Sequence, residues 1–163
     1  MNAKHTEIER KFLVTSETWK QGSQRQHLCQ GYLSRDPDRT VRVRIAEESA
    51  FLTIKGRPAG ISRVEVEFPI SLAEAQALLP LCLPPLIEKT RYTVNHAGMV
   101  WEVDEFHGLN AGLVVAEIEL PSAVFPFARP DWLGIEVSQD PRYANSQLSV
   151  TPFSAWTNPP SAP

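Results

Sequence analysis

The chain has 163 residues, 42% of them hydrophobic, with 19 Asp and Glu against 16 Lys and Arg for a formal net charge of −3. That length suits one domain with a real core, the absence of any apolar run of roughly 18 residues excludes a membrane span, and the slight acidity argues against a nucleic-acid surface. Cys29 and Cys82 lie too far apart to suggest a zinc site or a disulfide framework, and an N-terminus without an apolar signal core points to a cytoplasmic protein.

The first element begins almost at once. Glu7-Ile8-Glu9-Arg10-Lys11-Phe12-Leu13-Val14 alternates as a β-strand does, so Glu7, Glu9 and Lys11 share one face and Ile8, Arg10 and Phe12 the other. Two carboxylates about 7 Å apart on one short strand are tolerable in water, beside cations or around a metal. Ser16 to Gln21 reads as a short helix capped by Ser16 and closed by Gly22. Strands follow at His27–Leu33, Thr40–Ile45, Ala50–Arg57 and Arg63–Phe68. Ser71-Leu72-Ala73-Glu74 is a capping box, opening a helix whose apolar stripe is Ala73, Ala77, Leu78 and Leu81 and which ends near Pro84-Pro85. Leu86–Asn95 and Met99–Phe106 read as strands joined in a hairpin at Asn95-His96-Ala97-Gly98, and Val114–Leu120 as the eighth strand. Beyond Pro121 the chain is broken by prolines, Arg142–Val150 reads as a last helix, and residues 157–163 as a flexible tail after one domain spanning 1–156.

Along these strands charge recurs at every second position: Glu7/Glu9, Arg42/Arg44, Lys55/Arg57, Glu65/Glu67, Lys89/Arg91, Glu102/Asp104 and Glu117/Glu119. The opposite faces are mainly apolar. An open antiparallel sheet with one wet face would alternate in the same way. Dedication of whole strands to one sign of charge favours a different arrangement, a closed eight-stranded antiparallel β-barrel, mainly β, whose charged face points inward and whose outer face is covered by helices. Such carboxylates attract hard divalent cations, Mg²⁺ or Mn²⁺. Arginine and lysine on the other walls suit a ligand rich in anionic oxygens, and the two together suggest a polyphosphate site. No Gly-rich phosphate loop is present, so side chains would do the holding.

The Glu7-x-Glu9-x-Lys11 motif resembles the ExExK signature of the CYTH domain, the triphosphate tunnel metalloenzymes. Arg42-Val43-Arg44, Thr53-Ile54-Lys55-Gly56, Arg63-Val64-Glu65-Val66-Glu67, Glu88-Lys89-Thr90-Arg91-Tyr92, Trp101-Glu102-Val103-Asp104 and Ala116-Glu117-Ile118-Glu119-Leu120 extend the likeness over roughly residues 5 to 150. The resemblance implies an eight-stranded tunnel acting on triphosphates with divalent metal, closest in its compact form to the bacterial inorganic triphosphatases. By that resemblance Glu7, Glu9, Glu65, Glu67, Asp104, Glu117 and Glu119 are candidate metal ligands, with Asp104 open to being a salt-bridge partner instead. Lys11, Arg42, Arg44, Lys55, Arg63, Lys89 and Arg91 are candidate triphosphate contacts. Glu102 is a weaker candidate, Arg57 reads as a surface residue, and His5 shares the inward parity near a tunnel mouth.

The expected reaction is metal-assisted attack of water on a terminal phosphoryl group. Lys11 and Glu9 are the catalytic candidates, and Lys11, held between Glu7 and Glu9, would orient or deprotonate that water. Acid neighbours raise a lysine's pKa and make it a poor base, so a carboxylate or metal-bound hydroxide is the better one. Adenylate cyclase, thiamine triphosphatase and a non-catalytic polyphosphate or nucleotide binder are the rival readings. Neither nucleic acid nor membrane is an expected partner, and the protein is read as a monomer or homodimer.

Overall fold

The computed structural model describes residues 5–160; the predicted tail at 157–163 therefore falls partly outside them. Nine strands form a single antiparallel sheet: β1 (Thr6–Val14), β2 (Gln24–Ser34), β3 (Arg39–Ala46), β4 (Ser49–Gly56), β5 (Ser62–Ile70), β6 (Leu83–His96), β7 (Met99–Phe106), β8 (Val114–Glu119) and β9 (Leu133–Glu136). Their spatial order is β5-β4-β3-β2-β6-β7-β8-β1-β9, and β5 returns to pair with β1. The first eight thus close into the expected barrel. One edge of β1 carries β8; the other is shared, with Thr6–Ile8 on β5 and Phe12 and Val14 on β9.

The ninth strand is a correction to the sequence reading, which took this region as proline-broken coil. At Gly134 a Cβ would come 3.0 Å from the Leu13 carbonyl oxygen. Its missing side chain is what lets β9 approach β1.

Residues directly opposite each other on antiparallel strands share a face, so the ladder register assigns the inside of the barrel. Glu7 lies opposite Arg63, Lys11 opposite Glu117, Arg91 opposite Asp104, Tyr32 opposite Arg42, and Lys55 opposite Glu65. Every predicted site residue is on this inner face. At one end, however, the same face turns apolar. Leu13, Tyr32, Ile87, Phe106 and Val115 pack there with Val137, Tyr143 and Leu148 from the C-terminal chain. The tunnel therefore has a hydrophobic floor.

Two further clusters cover the outside. Phe12, Trp101, Val103, Ala116 and Ile118 pack with Trp19, Trp132 and Leu133, and Trp101 meets Phe12 and Trp132 edge to face at 5.8 and 5.7 Å, a preferred aromatic geometry. The cover here is the proline-rich segment and a 3₁₀ turn at Thr18–Lys20, not helices as expected. Ser16 does not cap that turn; its Oγ bonds Thr18 Oγ1 at 3.0 Å. Over β3 and β4 sits α1 (Leu72–Leu78), with the predicted capping box formed between Ser71 and Glu74. Its buried side is Ala75 flanked by Leu72, Leu78 and Leu79. Ala73 and Ala77 of the predicted stripe are exposed, because the buried face runs through Leu72, Ala75 and Leu78 instead, and Leu81 is exposed in the 3₁₀ turn that follows the seven-residue helix. The last predicted helix is likewise reduced to a 3₁₀ turn at Pro141–Tyr143 and one α turn, α2 (Asn145–Leu148). Trp156 packs on Tyr143 and Phe153 beside the floor. Among the described residues no helix is long and apolar enough to cross a membrane.

Leu148 is fully buried in the floor cluster. Leu148→Ala is expected to lower unfolding free energy by about 2–5 kcal/mol in urea titration, the usual cost of a core truncation that leaves a cavity. A variant as stable as the parent would show that the C-terminal turn is not part of the core.

Candidate active site

The inner faces enclose a cavity of about 830 Å³, lined by eight carboxylates and six cations. Their arrangement follows from strand order. The adjacent strands β7, β8, β1 and β5 supply the glutamates, while Arg91, Arg42, Arg44 and Lys55 come from β6, β3 and β4. Charge sorted by strand in the sequence becomes charge sorted by wall, with Lys11 and Arg63 as cations on the acidic side.

On the basic wall, Arg42 Nη2 donates to Thr53 Oγ1 at 3.1 Å and Arg44 Nη2 donates to Glu67 Oε2 at 3.1 Å. Lys55 Nζ lies 3.0 Å from Glu7 and 2.5 Å from Glu65, and Arg63 Nε donates to Glu7 at 2.8 Å. Arg91 is the most heavily tied. It donates through Nε and Nη2 to both oxygens of Asp104, at 2.7 and 2.8 Å, and also reaches Glu102 and Glu117. Burial disfavours its charge, but these carboxylates outweigh that and hold its pKa well above the ordinary arginine value.

On the acidic wall the ladders bring like charges together. Glu9 stands directly opposite Glu119, and Glu102 opposite Glu117, pairings that destabilise a sheet unless countered. Glu117 is countered. Lys11 donates to it and to Glu9, and although burial works against the Glu117 carboxylate, Lys11, Arg91 and Lys89 hold its pKa far below normal. Lys11 is thus bracketed by Glu9 and Glu117 rather than by Glu7 and Glu9. Burial opposes its charge, yet those two carboxylates raise its pKa above the usual lysine value. Glu119 differs, having no cation within salt-bridge distance among the described residues. Burial and then the fields of Glu7, Glu65, Glu9 and Glu102 push its pKa up.

Two predicted residues do not reach the cavity. Lys89 and Asp104 are both 0% exposed and bonded to each other at 2.5 Å, behind Arg91. Asp104 is therefore an ion-pair partner, with both oxygens taken by Arg91 and Lys89 rather than turned to a ligand. His5 is exposed and does not line the cavity, and Arg57 is an exposed partner of Asp38. Conversely, Tyr32, Ser138, Asp140 and Asn145 line the cavity although the charge pattern did not single them out. Tyr32 was findable by parity along β2; the C-terminal three lie in irregular chain, where no period marks an inward position.

The family resemblance implies a divalent metal. Among the described residues no three His, Cys, Asp or Glu side chains are positioned together to hold one, because nearly every inward carboxylate is turned to a cation. The donor set nevertheless fits a hard dication in kind, being all carboxylate oxygen, and Glu119 sits in a field of uncompensated negative charge that such an ion would relieve.

Comparison with known proteins agrees with this geometry. The family profile described as CYTH domain matches residues 5–151. An inorganic triphosphatase of Acetivibrio thermocellus is 48% identical over 148 residues, covering 90% of this chain and 95% of that protein. An inorganic triphosphatase of Nitrosomonas europaea is 36% identical over 152 residues, covering 90% and 98%. The crystal structure of the inorganic triphosphatase NE1496 superposes with a TM-score of 0.66 at 33% identity, covering 88% of this chain and 94% of that one.

The raised pKa of Glu119 has a sign that can be tested. A carboxyl whose folded pKa lies above its unfolded value contributes stability at low pH and loses it as pH rises through the folded value. Glu119→Gln should therefore melt higher than the parent at pH 7, the difference closing below about pH 4, where the unfolded carboxyl is also protonated. A lower melting temperature at pH 7 would mean that Glu119 is held by a cation after all.

Proposed function

The chain belongs to the CYTH domain family, and on that premise we propose that it hydrolyses inorganic triphosphate to phosphate and diphosphate inside the barrel. The observation that carries this reading is the split lumen: a wall of Arg42, Arg44, Lys55 and Arg91 faces a wall of glutamates across one cavity. Guanidinium forks match phosphoryl oxygens in bidentate fashion. These cations, with Arg63 and Lys11, would take the oxygens of the substrate in place of the carboxylates that now hold them. Lys89 would serve from behind, through Asp104, rather than as a contact.

Glu7, Glu9, Glu65, Glu67, Glu117 and Glu119 are the carboxylates proposed to hold Mg²⁺ or Mn²⁺, which when bound supplies charge neutralisation at the phosphoryl oxygens. The chain's own residues do the rest. The arginines fix the terminal phosphorus and stabilise the charge gathering on the leaving diphosphate, the main source of catalysis in phosphoryl transfer. Water attacks that phosphorus and the bond to the bridging oxygen breaks. Lys11 stays an ammonium, since Glu117 and Glu9 raise its pKa; it orients the water, with Glu9 fixing the lysine. An inward carboxylate not engaged with the metal takes the proton that the attacking water gives up.

Purified protein is expected to release phosphate from tripolyphosphate several-fold faster than from ATP, and only with divalent metal present. Glu119→Gln should cost at least about a hundredfold in rate, near 3 kcal/mol of transition-state stabilisation. Activity unaffected by EDTA would remove the metal from this scheme.

A further inference from the structure

Behind the cavity wall lies a buried group that the scheme above leaves without a direct task. The Lys89 ammonium is 0% exposed and makes two hydrogen bonds, to Asp104 Oδ2 at 2.5 Å and to Asn145 Oδ1 at 3.2 Å. The first belongs to the barrel. The second crosses to α2, in the C-terminal segment that supplies Tyr143 and Leu148 to the floor. Asp104 in turn takes both forks of Arg91, which lines the cavity. A continuous run of polar contacts thus links a neutral amide on the C-terminal turn, through Lys89 and Asp104, to a guanidinium on the cationic wall.

We propose that Asn145 is a positioning residue of the anion site, acting through Lys89 and Asp104 on Arg91. An ammonium has three donors and no rigid plane, so Asp104 alone does not fix where it sits. Asn145 adds the second acceptor that places it. With Lys89 placed, its charge holds Asp104 ionised and oriented, and Asp104 holds the Arg91 fork square to the cavity. Without it, the ammonium would have one protein partner in a site closed to solvent, an arrangement costly enough that the pair would shift toward the cavity or admit water. Arg91 would then lose its fixed aim. This role deepens the triphosphate reading, because the consequence falls on binding of an oxyanion.

Two measurements separate this role from simple packing. Without substrate, Lys89 should be nearly inert to acetylation by a water-soluble N-hydroxysuccinimide ester, read by peptide mass spectrometry, and become several-fold more reactive in Asn145→Ala. In turnover of tripolyphosphate, Asn145→Ala should raise KM about five- to tenfold with kcat changed less than about twofold. In a Lys89→Met background the same substitution should change neither. Leu148→Ala, on the same turn, should lower Tm while leaving KM unmoved. Additive effects in the double variant, or an Asn145→Ala protein with unchanged KM and Lys89 reactivity, would overturn the role of Asn145. A parent protein that does not turn over tripolyphosphate would overturn the functional reading, and Lys89 labelling would still report on the Asn145–Lys89 contact.

Discussion

The constraint on which this structure depends is that charges facing the inside of a barrel must be neutralised by partners on the same inner face. Taking an ion out of water costs several kcal/mol even after relaxation, and only a close, well hydrogen-bonded partner offsets it. The ladder register supplies those partners. Arg63 opposite Glu7, Lys11 opposite Glu117, Lys55 opposite Glu65 and Arg91 opposite Asp104 are all direct cross-strand neighbours of opposite sign. Slipping any of these strands by one residue would turn its charges outward and its apolar residues in. The charged face therefore fixes register as firmly as a hydrophobic one does in an ordinary barrel, and the apolar faces follow, giving an outer layer in which Phe12, Trp101 and Ile118 are fully or almost fully buried.

Neutralisation is uneven, and the unevenness marks the chemistry. Asp104 and Lys89 are matched and enclosed, so they belong to the frame. Glu119 is opposite another glutamate and has no cation within salt-bridge distance among the described residues, so it is the place where the described lumen still carries unbalanced charge. A binding site for ions needs both kinds of residue: committed pairs that hold the wall in shape, and uncommitted groups whose energy improves when a ligand arrives.

Much of this was legible in the sequence because a period of two is a strong signal. The strands, the inward parity of Glu7, Arg44, Glu67 and Glu119, and the capping box at Ser71 all follow from residue spacing and local hydrogen-bond chemistry. What was not legible depends on contacts between distant segments. That Lys11 turns to Glu117 rather than Glu7 is set by the β1–β8 register. That Lys89 and Asp104 sit behind Arg91 depends on how deep each inward position lies in the barrel, and parity gives side but not depth. The β9 strand and the floor come from a segment rich in proline and short 3₁₀ turns, where Gly134, Val137 and Leu148 act through single close contacts and no repeating pattern announces them.

The apolar floor also bears on how strongly the charges act. Leu13, Ile87, Phe106, Val115 and Leu148 close one end of the lumen with groups that cannot solvate an ion, so the deepest charges sit in the least polarizable surroundings. There an ion is least well solvated, which is why burial is the largest influence on the Lys89 ammonium and draws its pKa down to about 8 despite Asp104 alongside. Toward the mouth Glu119 is partly wet and its field is screened. One barrel thus grades from a rigid, dry base to a responsive rim. A multivalent anion entering along that gradient would meet cations aligned from below, with adaptable carboxylates at the open end.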